Sequence, residues 1–174
     1  VELAELVYNP KHTEKDNVHG IGNLYVPTVP QKPDIVLQLT KDDVQKGMKM
    51  TYLFDAKYRI DSRVNNVDTP PDDAINQMHR YRDAIYYKEY GKEILKKEVI
   101  GGYILFPGAG EKTDVEVAKF YNTIKDVNIG AFPLRPNDEQ NRVLLENFIK
   151  ELIETRAART ISKVIPQKGA IIEV

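Results

Sequence analysis

The chain has 174 residues, 25 basic and 26 acidic, with a net charge of −1 and 41% hydrophobic residues. This length and composition suit one globular domain with its own core. The chain has no cysteine, which excludes disulfides and thiolate metal sites. The balanced charge argues against a large basic surface for nucleic acid, so any affinity for DNA must come from a focused cleft or from another subunit.

No run of residues approaches the about 20 apolar positions that span a bilayer, and the N-terminus lacks a signal-peptide pattern. We therefore expect a cytoplasmic protein without membrane contact. The chain starts at Val1 rather than Met. This start predicts an excised fragment or a processed chain, and we favour the fragment.

The first third of the chain predicts strands at residues 3–8, 24–29, 34–39 and 50–58, from their apolar and β-branched content. The segments 11–22, 41–49 and 61–69 are polar and predict a loop, a turn and an irregular stretch.

A helix is predicted next. Thr69 offers a capping hydroxyl, Pro70 suits the first helical position, and Asp72 and Asp73 face the helix dipole. We expect this helix to run to about residue 90, where Gly91 can end it. Residues at helical spacing predict one packed face: Ile75, Met78, Tyr81, Arg82 and Ile85.

The second half predicts strands at 99–106 and 131–134, then a long helix that begins with a capping box of Asn137 and Gln140. The predicted apolar face of this helix is Val143, Leu144, Phe148, Ile149, Leu152 and Ile153. Residues 162–174 are compatible with a strand, but the sequence does not indicate where in the sheet it lies. The order of elements predicts an α/β fold, with a central mixed β-sheet flanked by helices.

The strands 34–39 and 50–58 predict an antiparallel hairpin whose turn centres between Val44 and Gln45, so that paired residue numbers sum to 89. Asp34 then lies opposite Asp55, with Cβ atoms about 4.5–5.5 Å apart, and Lys57 shares their face. We expect this face to be polar, with Gln38 on it. The other face is expected to form the core: Ile35, Leu37, Leu39, Phe54, Ala56 and Tyr58.

Two opposed carboxylates repel each other unless a cation lies between them. Mg²⁺ prefers oxygen ligands and often takes one or two carboxylates with water and a substrate phosphate. Beside such an ion, Lys57 could orient or deprotonate a water, or neutralise charge on a phosphate. Together these groups indicate phosphodiester hydrolysis. The alternative is an Asp–Lys ion pair on an exposed sheet face, with Asp34 in a turn. The spacing of these residues alone does not distinguish such a pair from a metal site.

Pro33-Asp34 followed by Asp55-Ala56-Lys57 resembles the PD-(D/E)xK nuclease superfamily, and Gln77 with Tyr81 resembles the QxxxY motif of its RecB-like branch. Four wider stretches are similar to McrC-like nuclease subunits of modification-dependent restriction systems, including the domain of unknown function 2357 group. These stretches are residues 33–37, 54–59, 78–85 and 129–136. The resemblance runs from about residue 3 to residue 136 and implies a restriction-endonuclease-like core.

The resemblance implies that Asp34, Asp55 and the carbonyl of Ala56 are ligands of Mg²⁺, for which Mn²⁺ can substitute. It implies that Lys57 is the catalytic lysine, and it places two helix residues beside the site: Gln77 and Tyr81. From the residues alone, the alternative for Gln77 is a solvated helix position. The alternative for Tyr81 is a core residue, which the sequence favours nearly as much as a place in the site. The implied partners are DNA and a McrB-like AAA+ NTPase subunit.

Arg59 and Arg82 are the candidate DNA-binding residues. Arg59 lies two residues after Lys57, so on an extended strand the two side chains point to the same face. Members of the superfamily commonly carry a glutamate on a helix before the first core strand. Only Val1 and Glu2 precede that strand here, so we expect this helix to be absent from a fragment. Glu2 and Glu5 are the possible substitutes.

The sequence therefore predicts a metal-dependent DNA endonuclease domain. Two alternatives stay open: a non-catalytic nuclease-fold module that binds DNA or bridges to the AAA+ motor, and a nuclease directed at RNA or single strands.

Overall fold

A computed structural model describes residues 3–9, 24–28, 31–64, 67–88, 95–108 and 115–164 of the chain. Within these ranges, no helix combines the length and apolar character needed to cross a membrane.

A five-stranded mixed sheet forms the centre of the described structure. Its strands lie in the order β1-β3-β4-β9-β10. In chain order they are β1 (Leu3–Tyr8), β3 (Ile35–Lys41), β4 (Met48–Ala56), β9 (Val99–Phe106) and β10 (Ile129–Pro133). β3 pairs antiparallel with both β1 and β4, whereas β9 runs parallel to β4 and to β10. The carboxyl ends of β4, β9 and β10 therefore lie at the same edge of the sheet.

Two smaller sheets and four helices complete the described fold. The strands of one small sheet are β2 (Leu24–Tyr25), β7 (Tyr86–Lys88) and β8 (Leu95–Lys96); β5 (Asp61–Val64) and β6 (Val67–Thr69) form the other. The helices are α1 (Asp72–Ala84), α2 (Val115–Val127), α3 (Glu139–Glu154) and α4 (Ala157–Val164).

Both faces of the sheet are covered at β3, β4, β9 and β10, whereas the edge strand β1 is largely exposed. The sheet is therefore the middle layer of an α/β fold, as predicted. On one face, Val36 and Leu53 pack in a cluster with Met78 of α1. On the opposite face, the aromatic rings of Tyr103 and Phe132 pack against Phe148 of α3, with ring centroids 4.9 and 4.8 Å from that of Phe148. Large apolar side chains thus line both faces of the central strands, as expected for a sheet that helices cover on both sides.

The predicted hairpin register is confirmed. The seven observed pairs run from Ile35 opposite Phe54 to Lys41 opposite Met48, and every pair sums to 89. The strand predicted at 99–106 is also confirmed at both ends.

The prediction of a polar second face on this hairpin is wrong. Gln38 is 2% exposed and donates from Nε2 to Thr51 Oγ1 at 3.1 Å, because α1 and its neighbours cover that face. Tyr58, expected in the core, lies beyond the end of β4 and is 95% exposed.

The boundaries predicted for α1 are corrected at both ends. The Thr69 hydroxyl donates to the carbonyl of Asp61 instead of capping the helix, and the N-cap is Pro71, which makes no side-chain hydrogen bond. The helix ends at Ala84 because the following residues pair as β7 with β2. Gly91 lies outside the described residues. The segment 61–69, predicted irregular, contains the paired strands β5 and β6.

Four further differences lie in the second half of the chain. α2 was not predicted, and α3 is capped by Asp138, whose side chain accepts from the N–H of Asn141, rather than by Asn137. Val143 and Ile153, predicted on the apolar face of α3, are 40% and 37% exposed. Residues 157–164 form a helix, and the rest of the strand considered at 162–174 lies outside the described residues.

The junction between α3 and α4 is held by the β3–β4 hairpin. The buried Lys41 Nζ donates to the carbonyl of Leu152 at 2.6 Å and to that of Thr155, at the C-terminal end of α3. Asp43 accepts from the backbone N–H groups of Ala157 and Ala158, at 3.0 and 3.1 Å, at the start of α4. A cation at a helix C-terminus and an anion at a helix N-terminus both oppose the charge of the helix dipole.

Substitution of Lys41 tests the first of these contacts. Lys41→Met keeps most of the side-chain volume but leaves the α3 carbonyls without their donor, so we expect a loss of about 2 kcal/mol in the free energy of unfolding. The measurement is urea denaturation followed by circular dichroism. The exposed Lys150 on α3 provides the control, since Lys150→Met is expected to change stability by less than about 0.5 kcal/mol. Equal midpoints for the two variants would contradict this role of Lys41.

The pH dependence of stability tests the second contact. The N–H groups at the start of α4 lower the pKa of Asp43 below its ordinary value of 3.8. The charged carboxylate therefore stabilises the fold above about pH 4, and this contribution is lost as the pH falls through the lowered pKa. We expect Asp43→Asn to unfold at a lower temperature than the parent at pH 6, and the difference to shrink below pH 4. A difference that stays constant with pH would show that the charge of Asp43 has no such effect.

Candidate active site

Two aspartates meet where β3 begins and β4 ends. Asp34 directly precedes β3, and Asp55 is the second-last residue of β4. The register of the hairpin, continued by one residue, places them opposite each other. Oδ2 of Asp34 accepts a hydrogen bond from the backbone N–H of Ala56 at 2.8 Å, and the backbone N–H of Asp34 donates to the Asp55 carboxylate. These contacts fix both acidic groups at the active edge, by which we mean the edge where β4, β9 and β10 end.

Asp55 is a buried acid in contact with a lysine. Its side chain is 3% exposed, and its Oδ2 forms an ion pair with Lys57 Nζ, whose side chain is 23% exposed. Burial raises the pKa of Asp55 above the ordinary 3.8; Lys57 lowers it in part, and the neighbouring charge of Asp34 raises it further. Apart from this ion pair, no described group donates a hydrogen bond to Asp55 Oδ2.

Helix α1 brings Gln77 and Tyr81 to the same place. They lie four residues apart and therefore share a helix face, and Gln77 Nε2 donates to the Tyr81 hydroxyl at 2.5 Å. That hydroxyl donates to the carbonyl of Lys32 at 3.0 Å. Burial raises the pKa of Tyr81, and the charges of Asp55 and Asp34 raise it further. The core position predicted for Tyr81 is therefore observed, while its hydroxyl is held by Gln77 and the Lys32 carbonyl.

The two arginines predicted to bind DNA are placed differently. Arg59 lies two residues beyond Lys57, and its exposed guanidinium forms an ion pair with Asp73 in the first turn of α1. Arg82 donates to the carbonyl of Val127 at 2.7 Å, close to where β10 begins. Since β10 begins at the opposite edge of the sheet, the structure does not bring Arg82 to the aspartates.

The possible substitutes for an upstream glutamate do not complete the site. Glu5 pairs with Gln38, four residues along β3 from Asp34, and lies 3.6 Å from Lys49 Nζ. Glu2 lies outside the described residues. Sequence reasoning also missed the Lys32 carbonyl that orients Tyr81, because a backbone acceptor leaves no signal in the residue pattern.

Arg135, in the segment that follows β10, is held at the active edge by protein contacts. It donates to the carbonyl of Pro107 at 3.3 Å and to Asp68 Oδ2 at 3.1 Å. These contacts connect the segments that follow β9 and β10 with β6.

The donor atoms at the active edge fit a hard divalent cation. Asp34 and Asp55 offer carboxylate oxygens. The backbone carbonyl of Ala56, the last residue of β4, is a third candidate oxygen ligand. The buried Asp55 Oδ2 has the ion pair with Lys57 and no other hydrogen-bond donor among the described residues. Among the described residues, no third aspartate, glutamate or histidine joins the pair. Such an oxygen set suits an ion that keeps several waters, as Mg²⁺ does.

Comparison with known proteins agrees with this arrangement. The family model described as "PD-(D/E)XK nuclease superfamily" matches residues 2–111, which is well over half of the chain. Neither the search of curated proteins nor the search of solved structures returned a match. The mixed five-stranded sheet with flanking helices is consistent with the restriction-endonuclease-like fold of this superfamily, whose members are generally nucleases that typically use divalent metals. The chain belongs to the PD-(D/E)XK nuclease superfamily.

Proposed function

We propose that this chain is the catalytic domain of a Mg²⁺-dependent DNA endonuclease that hydrolyses phosphodiester bonds. The observation that carries the proposal is the meeting of Asp34, Asp55 and Lys57 at one edge of the sheet, with the two acids linked by hydrogen bonds across the strands. A buried carboxylate beside a second one is costly in a stable fold. A bound cation removes that cost.

Asp34, Asp55 and the carbonyl of Ala56 would hold the ion, with Mn²⁺ as a substitute for Mg²⁺. The bound ion supplies Lewis-acid chemistry and a more acidic water. Lys57, whose ammonium contacts Asp55 at the boundary between core and solvent, can donate to a phosphate oxygen and neutralise the charge that develops there. Gln77 and the carbonyl of Lys32 hold the Tyr81 hydroxyl in place beside the acids.

Arg59 is the residue we propose for a DNA phosphate contact. It lies two residues beyond Lys57, and its side chain is 62% exposed. A phosphate could replace Asp73 as its partner, since a guanidinium binds both kinds of anion in the same forked geometry. Arg82 has no part in the proposed site, because it lies toward the opposite edge of the sheet.

The domain, on this proposal, is the McrC-like nuclease subunit of a modification-dependent restriction system, acting in antiviral defence in the cytoplasm. Its partner is a McrB-like AAA+ NTPase that supplies translocation. The support is the sequence resemblance over the four stretches given above and the net charge of −1, which fits a subunit that relies on a partner for much of its DNA affinity.

A second candidate function is a nuclease-fold module that binds DNA or bridges to the motor without cutting. It is favoured by one observation: the described residues supply only two carboxylates, without a third acidic or histidine ligand. Metal binding and cleavage distinguish the two candidates.

The role of Lys57 is tested by Lys57→Ala in the full-length protein with its motor subunit. We expect plasmid cleavage in Mg²⁺ to fall at least about 100-fold, because the charge on the phosphate is no longer neutralised. Binding of the same DNA is expected to remain within about twofold. Lys150→Ala, which removes an exposed lysine of α3, serves as the control and is expected to cut normally. Undiminished cutting by Lys57→Ala would refute its catalytic role.

Metal binding is tested separately from cleavage. Asp55→Asn keeps the shape of the side chain but removes the buried charge, so we expect it to lose at least about tenfold in Mn²⁺ affinity, measured by isothermal titration calorimetry without DNA. Asp72→Asn, at an exposed acid in the first turn of α1, is expected to bind Mn²⁺ as the parent does. A parent protein that binds no divalent ion, with or without DNA, would favour the non-catalytic module.

A further inference from the structure

An exposed aromatic side chain lies directly beside the candidate active site. Tyr58 follows Lys57 in the chain, beyond the end of β4, and is 95% exposed. Among the side chains that the structure describes, the one other exposed aromatic is Tyr8, at 71%, and the remaining exposed large apolar residues are aliphatic. A tyrosine that packs in a protein removes about 150–250 Å² of its surface from water. Tyr58 therefore contributes almost none of that area to the stability of the fold.

The segment that carries Tyr58 is anchored on both sides of it. The backbone N–H of Lys57 donates to the carbonyl of Leu105 on β9 at 2.8 Å. The guanidinium of Arg59 forms an ion pair with Asp73 in the first turn of α1. These contacts hold the backbone of Tyr58 at the active edge and leave its ring in water. Only two side-chain torsions are then left to order, so a partner that covers the ring pays little conformational entropy.

The neighbours of Tyr58 indicate what such a partner is. Consecutive Cα atoms lie about 3.8 Å apart, so a phosphate that Lys57 contacts brings its own nucleotide to Tyr58. The cations on either side are already paired, Lys57 with Asp55 and Arg59 with Asp73. The distinctive feature of this surface is thus the ring and not an excess of charge. Every nucleobase has a flat π-face that stacks on an aromatic ring, whatever the sequence.

The base that stacks on Tyr58 has to be unpaired. Within a duplex the faces of each base are covered by its neighbours, and a protein reaches only the base edges in the grooves. A base in a single strand, or one opened out of a duplex, offers its face to an aromatic side chain. Stacking does not require a basic surface, which suits a chain whose net charge is −1.

We propose that Tyr58 is a base-stacking residue, which receives an unpaired base of the DNA strand whose phosphate lies at Lys57. This inference rests on the proposed function for the identity of the substrate. It adds the form of that substrate, which is DNA that is single-stranded or locally opened at the cut. The ring adds affinity at that point and does not select one base over another.

The test uses variants that separate the aromatic face from the rest of the side chain. Tyr58→Phe and Tyr58→Trp keep an aromatic ring, whereas Tyr58→Leu keeps an apolar side chain without one. Tyr8→Leu is the matched control, since Tyr8 lies opposite Ile35 on the sheet face that α3 covers, and Asp55 points to the other face. All variants carry Asp55→Asn, so that bound DNA stays uncut, and thermal unfolding confirms that each is folded.

Binding of a single strand of about 20 nucleotides and of a duplex of the same length is measured by fluorescence anisotropy. Stacking of one base on an aromatic side chain is worth about 5- to 150-fold in affinity. We therefore expect Tyr58→Leu to bind the single strand at least about fivefold more weakly, and the duplex within about twofold of the parent. The two aromatic variants and Tyr8→Leu are expected to stay within about twofold on both DNAs. No binding of the single strand by the parent, equal losses on both DNAs, or an equal loss in Tyr8→Leu would overturn the proposal.

Tyr58→Trp also reports stacking directly, because the chain has no other tryptophan. We expect its fluorescence to be quenched by the single strand but not by an abasic strand of the same length, which carries the same phosphates without bases. Quenching by both strands, or by neither, would show that no base stacks at this position.

Two further outcomes separate this inference from other possibilities. If Tyr58→Leu keeps the affinity of the parent for single strands but loses association with the motor subunit, Tyr58 is a protein-docking residue and the proposal is wrong. Cleavage in Mg²⁺ by the protein with Asp55 intact is measured independently. A protein that never cuts, but shows base-dependent quenching in Tyr58→Trp, would refute the nuclease activity and leave Tyr58 as a base-stacking residue.

Discussion

The antiparallel pairing of β3 with β4 is the constraint on which the candidate site depends. Side chains alternate between the faces of a strand, so a slip of one residue would move Asp34 or Asp55 to the opposite face. The register is fixed by apolar packing on both faces and, at the end of the hairpin, by the hydrogen bond from the Ala56 N–H to Asp34. The same contact that ends the pairing also positions the acidic group. Stability and chemistry therefore depend on one piece of backbone geometry.

The site combines acidity with burial, which a stable fold ordinarily avoids. Asp55 is almost inaccessible, and its charge is opposed by Lys57 and repelled by Asp34. Removing such a charge from water is expensive, and one lysine at the boundary with solvent compensates for it only in part. This electrostatic cost is the physical reason to expect a cation, because structural stability alone would have been served better by an apolar residue at the end of β4.

The segment beyond residue 111, outside the family match, completes the core of the described fold. β10 lies beside β9, α2 packs against β10, and α3 covers the second face of the sheet through Phe148. Lys41 and Asp43 then hold the ends of α3 and α4 against the hairpin. The hairpin thus carries the acids at one end and anchors the helical layer at the other. The candidate site and the anchor of the helical layer therefore share one hairpin.

Local pattern was enough to predict the strand 99–106, the register of the hairpin and the opposition of Asp34 to Asp55, because period-two alternation and a polar turn act over a few residues. Helical spacing also predicted the packed face with Met78 and Tyr81, whereas the pairing of Gln77 with Tyr81 came from the family resemblance. Only the tertiary structure decided what lies against these elements: the cover over Gln38, the early end of α1 where β7 pairs with β2, and the placement of Arg82 away from the acids. Those outcomes depend on contacts between residues distant in the chain, and a local sequence pattern does not encode which distant segment will supply the partner.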